Sequence, residues 1–296
     1  MSEESNSKNW YERNYKKLLV IPAIFFIFTI VYLVQFNAKN NDIILKDVSL
    51  TGGATITVLD EKINIYDLKD TLKSEFPDIS VRAISNIRTG KQQAFFVETS
   101  AEVEKIKPAL EKYIGYSLDS DNSSIEFSGE SLSTGFYKQL RLAILIAFIF
   151  MAIVVFAVFR TPVPSLAVII SAFADIIMTL TVVNLMGLRL STAGIIALLM
   201  LIGYSVDTDI LLTTRILKKK EGSLNKRMVG AFKTGMMMTI TSIIAVGASL
   251  LILHSFSDVL SQMFTIILIG LGFDIFNTWL TNASILKWYA EVKRIS

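Results

Sequence analysis

The sequence predicts an α-helical membrane bundle of six transmembrane helices, with one α+β domain inserted between the first helix and the second. Three observations predict it. The chain has 296 residues, 52% of them hydrophobic, and a mean hydropathy of +0.52. Six apolar segments, at 18–36, 140–159, 163–187, 191–213, 234–253 and 259–284, reach the ~20 residues that a spanning helix needs. Between the first two lies a polar stretch that holds most of the acidic residues and all of the alternating strand patterns.

The first apolar segment follows Lys16 and Lys17, as the core of a signal peptide would. Its 19-residue length, and the bulky Gln35-Phe36-Asn37 where a cleavage site would fall, predict a retained helix. Residues 1–36 are thus a tail plus the first span, 37–137 an outer domain, and 138–296 the other five spans. The outer domain reads as β-α-β-β-α-β. Its strands are expected at 55–59, 79–87, 93–99 and 124–127, with the middle pair joined by a turn at Thr89-Gly90-Lys91. Its helices are expected at 65–76, capped by Asn64, and at 101–113, capped by Ser100. That order over a short domain suggests a ferredoxin-like sandwich. Arg160-Thr161-Pro162-Val163-Pro164 predicts a tight turn between the second and third spans.

Orientation follows from Lys and Arg in short segments. The N-terminal tail, the connection between the fourth and fifth spans (Arg215, Lys218, Lys219, Lys220, Lys226, Arg227, Lys233) and the C-terminal tail (Lys287, Lys293, Arg294) are basic. The third-to-fourth connection carries only Arg189, and the fifth-to-sixth carries His254. Both termini are therefore expected in the cytoplasm, with residues 37–137 outside.

The chain has no cysteine and one histidine. Disulfides and thiolate metal centres are excluded, and no metal or cofactor is expected. The chemical signal is instead four carboxylates inside apolar segments: Asp175, Asp207, Asp209 and Asp274. Each costs ~2.5–3.5 kcal/mol at a helix centre facing lipid. They are expected to face the bundle interior, as packing partners of Ser, Thr and Asn or as groups that bind and release a proton. Ser171, Asp175 and Thr179 share a helical face, as do Gly203 and Asp207, and Gly270, Asp274, Asn277 and Thr281 form a polar stripe. Asp207 and Asp209 lie ~200° apart around one helix, so at most one is the buried acid. Asp209, six residues before Arg215, is expected nearer the cytoplasmic surface. Lys233 is the candidate counter-charge. His254 reads as a solvated loop residue, Met236 to Met238 as packing of the fifth span, and Trp279 and Trp288 as interface anchors. The lysine tract at 218–220 reads as an orientation signal, with anionic lipid as a lesser possibility.

Around the fourth span, Ile202-Gly203-Tyr204-Ser205-Val206-Asp207-Thr208-Asp209-Ile210 resembles the signature of the SecD/SecF family on its SecF side, in the archaeal form. Leu50-Thr51-Gly52-Gly53 resembles the family's lead into its outer domain. Ala174-Asp175, Phe232-Lys233-Thr234-Gly235 with Thr239-Ile240-Thr241-Ser242, and the block from Asp274 to Leu280 with Asn282-Ala283 follow in the family's order. The resemblance covers nearly the whole chain. It implies half of an RND-type twelve-helix unit, paired with SecD beside the SecYE translocon. It also implies use of the proton gradient to draw an exported, unfolded polypeptide outward, with no nucleic acid involved. Gly203, Tyr204, Ser205 and Asn277 would serve helix packing, and Asp207, Asp209, Asp175 and Asp274 proton coupling. Two departures stand out. Bacterial relatives place the acid at the position of Thr208, which Asp207 and Asp209 flank. They also carry Arg near the start of the fifth span, where this chain has Lys233. Competing readings are half of an RND-type solute or lipid transporter and a non-conducting scaffold for SecD. An intramembrane aspartyl protease fits poorly, because Gly270-Leu271-Gly272-Phe273-Asp274 turns the acid ~100° from the required direction.

Overall fold

The computed structural model describes residues 10–85, 89–218, 222–253 and 257–294. Among them, six helices are long and apolar enough to cross a membrane. Spans one to six run Asn14–Asn40, Leu132–Phe159, Pro162–Leu185, Thr192–Leu217, Leu224–Leu253 and Val259–Val292. Every span but the third extends several residues beyond its apolar segment, the fifth by the most, at its N-terminal end, because a hydrogen-bonded helix need not stop where hydropathy does. The second starts at Glu130, inside the segment read as outer domain. His254 and the Lys219-Lys220 part of the lysine tract lie outside the described residues.

The polar stretch forms β1 (Gly53–Val58), a helix Ile65–Lys73, β2 (Ser80–Ser85), β3 (Gln92–Thr99), a helix Val103–Ile114 and β4 (Ser123–Ser128). The sheet is antiparallel throughout, in the order β2-β3-β1-β4. β3 is buried on both faces from Ala94 to Thr99, and strand periodicity turns Ala54, Ile56 and Val58 of β1 inward. They meet Leu68 and Leu72 of one helix and Ile106 and Leu110 of the other. Asn64 caps its helix as expected, accepting a hydrogen bond from the Tyr66 amide at 3.0 Å. Ser100 does not cap the second helix. Its hydroxyl and amide both donate to Asp78, and the helix begins after Glu102 with no side-chain cap.

The Thr51-Gly52-Gly53 motif has a steric reason. Gly52 and Gly53 have φ of 87° and 135°. A Cβ on Gly52 would lie 2.5 Å from the Glu130 Cα, where span two begins. A Cβ on Gly53 would collide with the Thr99 carbonyl of β3. The irregular segment and short helix (Val48–Thr51) before these glycines are tied to the bundle. The Asp47 amide donates to the Leu190 carbonyl, the Asn184 side chain to the Ile43 carbonyl at 2.8 Å, and the Thr192 amide to the Ser49 hydroxyl. These bonds seat the sheet where span three ends and span four begins.

Span three is the most buried, and span four follows it. Spans one, two and five expose most of their apolar surface. Gly270 of span six lets the helix close on Leu201 of span four, with no room for a Cβ. The turn between spans two and three is tight, as the prolines predict. Arg160 adopts φ 52° and Pro162 opens the next helix.

Candidate acidic site within the bundle

Span six carries a local change of helix type that builds the site. From Asn277 to Asn282 it widens to a π-helical turn. Five of those six residues (Asn277, Thr278, Trp279, Thr281, Asn282) are buried, whereas an α-turn would carry one or two of them outward. The widened turn therefore presents a cluster of amide and hydroxyl groups to spans three and four.

Three carboxylates meet that cluster. Asp175, Asp209 and Asp274 are 0%, 0% and 1% exposed. Asp175 accepts at both oxygens, from the Ser205 hydroxyl at 2.5 Å and the Asn277 amide at 2.7 Å. Asp209 Oδ1 accepts from the Thr278 hydroxyl at 2.8 Å and the Asn282 amide at 2.7 Å. Among the described residues its Oδ2 has no donor within hydrogen-bond distance, although the Ser171 hydroxyl, itself without such a partner, interacts with this carboxylate. Asp274 accepts from Thr278 at 3.3 Å and lies 3.5 Å from the Thr239 hydroxyl of span five. Asn277 and Thr278, adjacent on span six, thus bridge the acids of spans three, four and six. No Lys or Arg among the described residues forms an ion pair with any of the three. Ser171 and Thr179 are fully buried on the face of Asp175, as the spacing predicts.

Asp207 departs from the expected inward placement. It is exposed on span four, on the same outward face as Gly203 and Tyr204. Gly203 has nothing within 4 Å of a Cβ position, so within this chain it admits no close neighbour. Asp209, expected nearer the surface, is the buried acid. The reason is rotational: the two acids sit on opposite sides of the helix, and Leu201, Ser205 and Leu212 place the Asp209 side against the bundle.

Lys233, expected at the mouth of span five, lies exposed in its tenth position because the helix starts at Leu224, and it forms no ion pair with the acids among the described residues. Trp279, read as an interface anchor, is buried: it packs edge-on against Phe232 at 5.0 Å and against Gly235. Trp288 remains 48% exposed, consistent with an anchor. Met237 and Met238 face outward rather than packing the bundle. Sequence reasoning missed two buried cations. Lys287 sits 5.1 Å from the Tyr15 ring and 3.5 Å from Asn225 Oδ1, and Arg227 donates to the Ile216 carbonyl. In sequence they look like ordinary positive-inside residues. The signal for Thr278 and Asn282 was present as the doubled polar pairs Asn277-Thr278 and Thr281-Asn282.

The fold and its acid centre define a class: a six-helix membrane protein with a sheet domain between its first two spans. A crystal structure of SecDF, a translocon-associated membrane protein from Thermus thermophilus, shares that fold. Its TM-score is 0.74 over 98% of this chain at 16% identity, and this chain spans 40% of its length. Residues 108–292 match the model of the protein export membrane protein SecD/SecF C-terminal family. The chain is 38% identical over 94% of its length to the protein-export membrane protein SecF of Methanocaldococcus jannaschii, covering 96% of that protein. To the SecF of Methanothermobacter thermautotrophicus it is 39% identical, covering 95% of this chain and 94% of that one. This chain belongs to the SecD/SecF family of multi-pass membrane proteins.

Proposed function

We propose that the chain is a SecF-type accessory subunit of protein export. It works with SecD beside the SecYE translocon on an unfolded polypeptide, and its acid cluster couples a proton gradient to that work. Family membership supports the export role, because the relatives named above are protein-export membrane proteins. Both termini lie in the cytoplasm and residues 37–137 outside, by the distribution of short basic segments. Residues 37–137 read as a ferredoxin-like domain, since their element and strand orders are those of that sandwich.

One observation carries the coupling: Asp209 is fully buried with two donors on one oxygen and, among the described residues, none within hydrogen-bond distance on the other, where the Ser171 hydroxyl is a loose neighbour. Asp175, by contrast, has a donor on each oxygen. The open oxygen of Asp209 is where a proton is taken up and released. Asp175 and Asp274 complete the relay. A small, largely apolar cavity of about 180 Å³ between spans one and three reaches Asn277 and Thr281 at the edge of the cluster.

The outward Asp207 supports a partner. A carboxylate near mid-span costs ~2.5–3.5 kcal/mol against lipid, and a second six-helix subunit laid over Gly203, Tyr204 and Asp207 relieves it. Asp209→Asn keeps the acceptor for Thr278 and Asn282, so the variant assembles normally and loses gradient-dependent export into membrane vesicles. Unchanged gradient-dependent export in Asp209→Asn, in Asp207→Asn and in the double variant removes the coupling.

A further inference from the structure

We propose that the free edge of β2 binds an extended segment of the exported polypeptide by adding it to the sheet as a fifth strand. The proposal rests on the export reading above. In the order β2-β3-β1-β4, β2 is paired on one side only. Among the described residues its other side is unpaired and presents the backbone N–H and C=O groups of every second residue, which a strand must pair or leave to water.

That edge opens onto a cavity of about 600 Å³ between the outer domain and the bundle. Ser80, Arg82, Ala83 and Ser85 of β2 all line it. Successive strand residues point to opposite faces, so a cavity against either face would touch every second residue. Residues of both parities line this one, so it lies against the edge itself. The far wall is the loop between spans three and four, through Arg189, and the start of span six, through Gln262. Gln262 holds that wall in place by accepting from the Ser191 amide at 2.9 Å and donating to the Arg189 carbonyl. The cavity is thus a slot with a strand edge on one side and membrane-anchored helices on the other.

The occupant follows from the chemistry. A six-residue edge spans ~20 Å and matches a segment of similar length in extended form. Strand addition draws affinity from main-chain hydrogen bonds, so it tolerates many side-chain sequences and requires an unfolded chain. Lys69, Arg82 and Arg189 outnumber the carboxylates behind them, Glu98 paired with Arg82 and Asp47 near Arg189. The slot therefore favours neutral or acidic segments. Arg82 is held over the Phe96 ring at 5.6 Å, leaving its face of the strand ordered.

The chain has no cysteine, so single cysteines are unique handles. Ser80→Cys and Ala83→Cys, on opposite faces of β2, are placed in the full chain assembled with its export partners. They are oxidised against a secretory chain stalled in one register, carrying a cysteine at each of ten consecutive positions in turn. Strand addition gives adducts at alternate positions, several-fold above the intervening ones, and the Ala83→Cys set is the complement of the Ser80→Cys set. Adducts with no period of two overturn strand addition. So do adducts from the exposed helix residue Tyr66→Cys with none from β2, an outcome that leaves the export role standing. Capture at β2 of a photoreactive anionic lipid, or of the SecD subunit, in place of the secretory chain assigns the slot to that partner and overturns the proposal. No adduct from any site, together with export unaffected by deleting this subunit, removes the export reading as well.

Discussion

Replacing Gly53 by Ala tests whether the glycine pair is a steric device or merely a flexible joint. Gly53 has φ 135°, where a side chain costs ~1–3 kcal/mol. Its added Cβ would also collide with the Thr99 carbonyl and lie 2.7 Å from the Ser100 Cα. Optimal carbon–carbon separation is ~3.5–4.0 Å, so β1 and β3 must part by roughly 1 Å at the Ala54–Thr99 pair. Overpacking of that kind costs ~1–3 kcal/mol more. Gly115 is the control: φ is 85° and a Cβ there meets nothing within 4 Å, so Gly115→Ala costs only the left-handed backbone, ~1–2 kcal/mol. At ~4–8 °C per kcal/mol for a domain of this size, mid-range costs of about 4 and about 1.5 kcal/mol give shifts of ~16–32 °C and ~6–12 °C. The assay is the temperature at which the outer domain becomes protease-sensitive in the full chain, held in lipid nanodiscs. Equal shifts for the two variants, or a larger one for Gly115→Ala, would refute the steric argument.

Asn277→Leu makes span six more apolar yet leaves Asp175 Oδ1 buried without its donor, so thermal stability in detergent falls by about 1–3 kcal/mol; an unchanged or raised melting temperature contradicts the donor role. Gly235→Val places its Cβ 2.6 Å from the Trp279 ring and costs ~1–3 kcal/mol. Pairing it with Trp279→Leu recovers part of that loss, and strict additivity of the two would show that they do not touch. Burial pushes the Asp78 carboxyl up, but the hydroxyl and amide of Ser100 and the Thr99 hydroxyl outweigh it and hold Asp78 below its usual 3.8. A depressed carboxylate stabilises the fold above its unfolded value and loses that contribution as pH falls through the folded value. The outer domain of the parent chain is therefore expected to lose stability below pH 3.8 more steeply than that of Asp78→Asn, and parallel acid-unfolding curves would contradict this.

Much of the architecture was legible in the residues alone because it depends on local periodicity and length. Six apolar runs predict six spans, and alternation over 79–87 and 93–99 predicts the strands found at Ser80–Ser85 and Gln92–Thr99. The misread elements were those whose partners lie far away in sequence. Ser100 has the composition of a cap but serves Asp78, and Trp279 has the position of an anchor but fills the space above Gly235. Lys287 and Arg227 look like surface cations and are buried.

By itself, the sequence determined that acids sit within the spans and that Asp207 and Asp209 point in opposite directions, since helix geometry fixes the angle between neighbours on one chain segment. Only the tertiary structure decided that Asp209 turns inward, and that Thr278 and Asn282 of a widened helical turn meet it there. The rotation of one helix against another is set by packing between distant segments, and no local pattern in either helix specifies it.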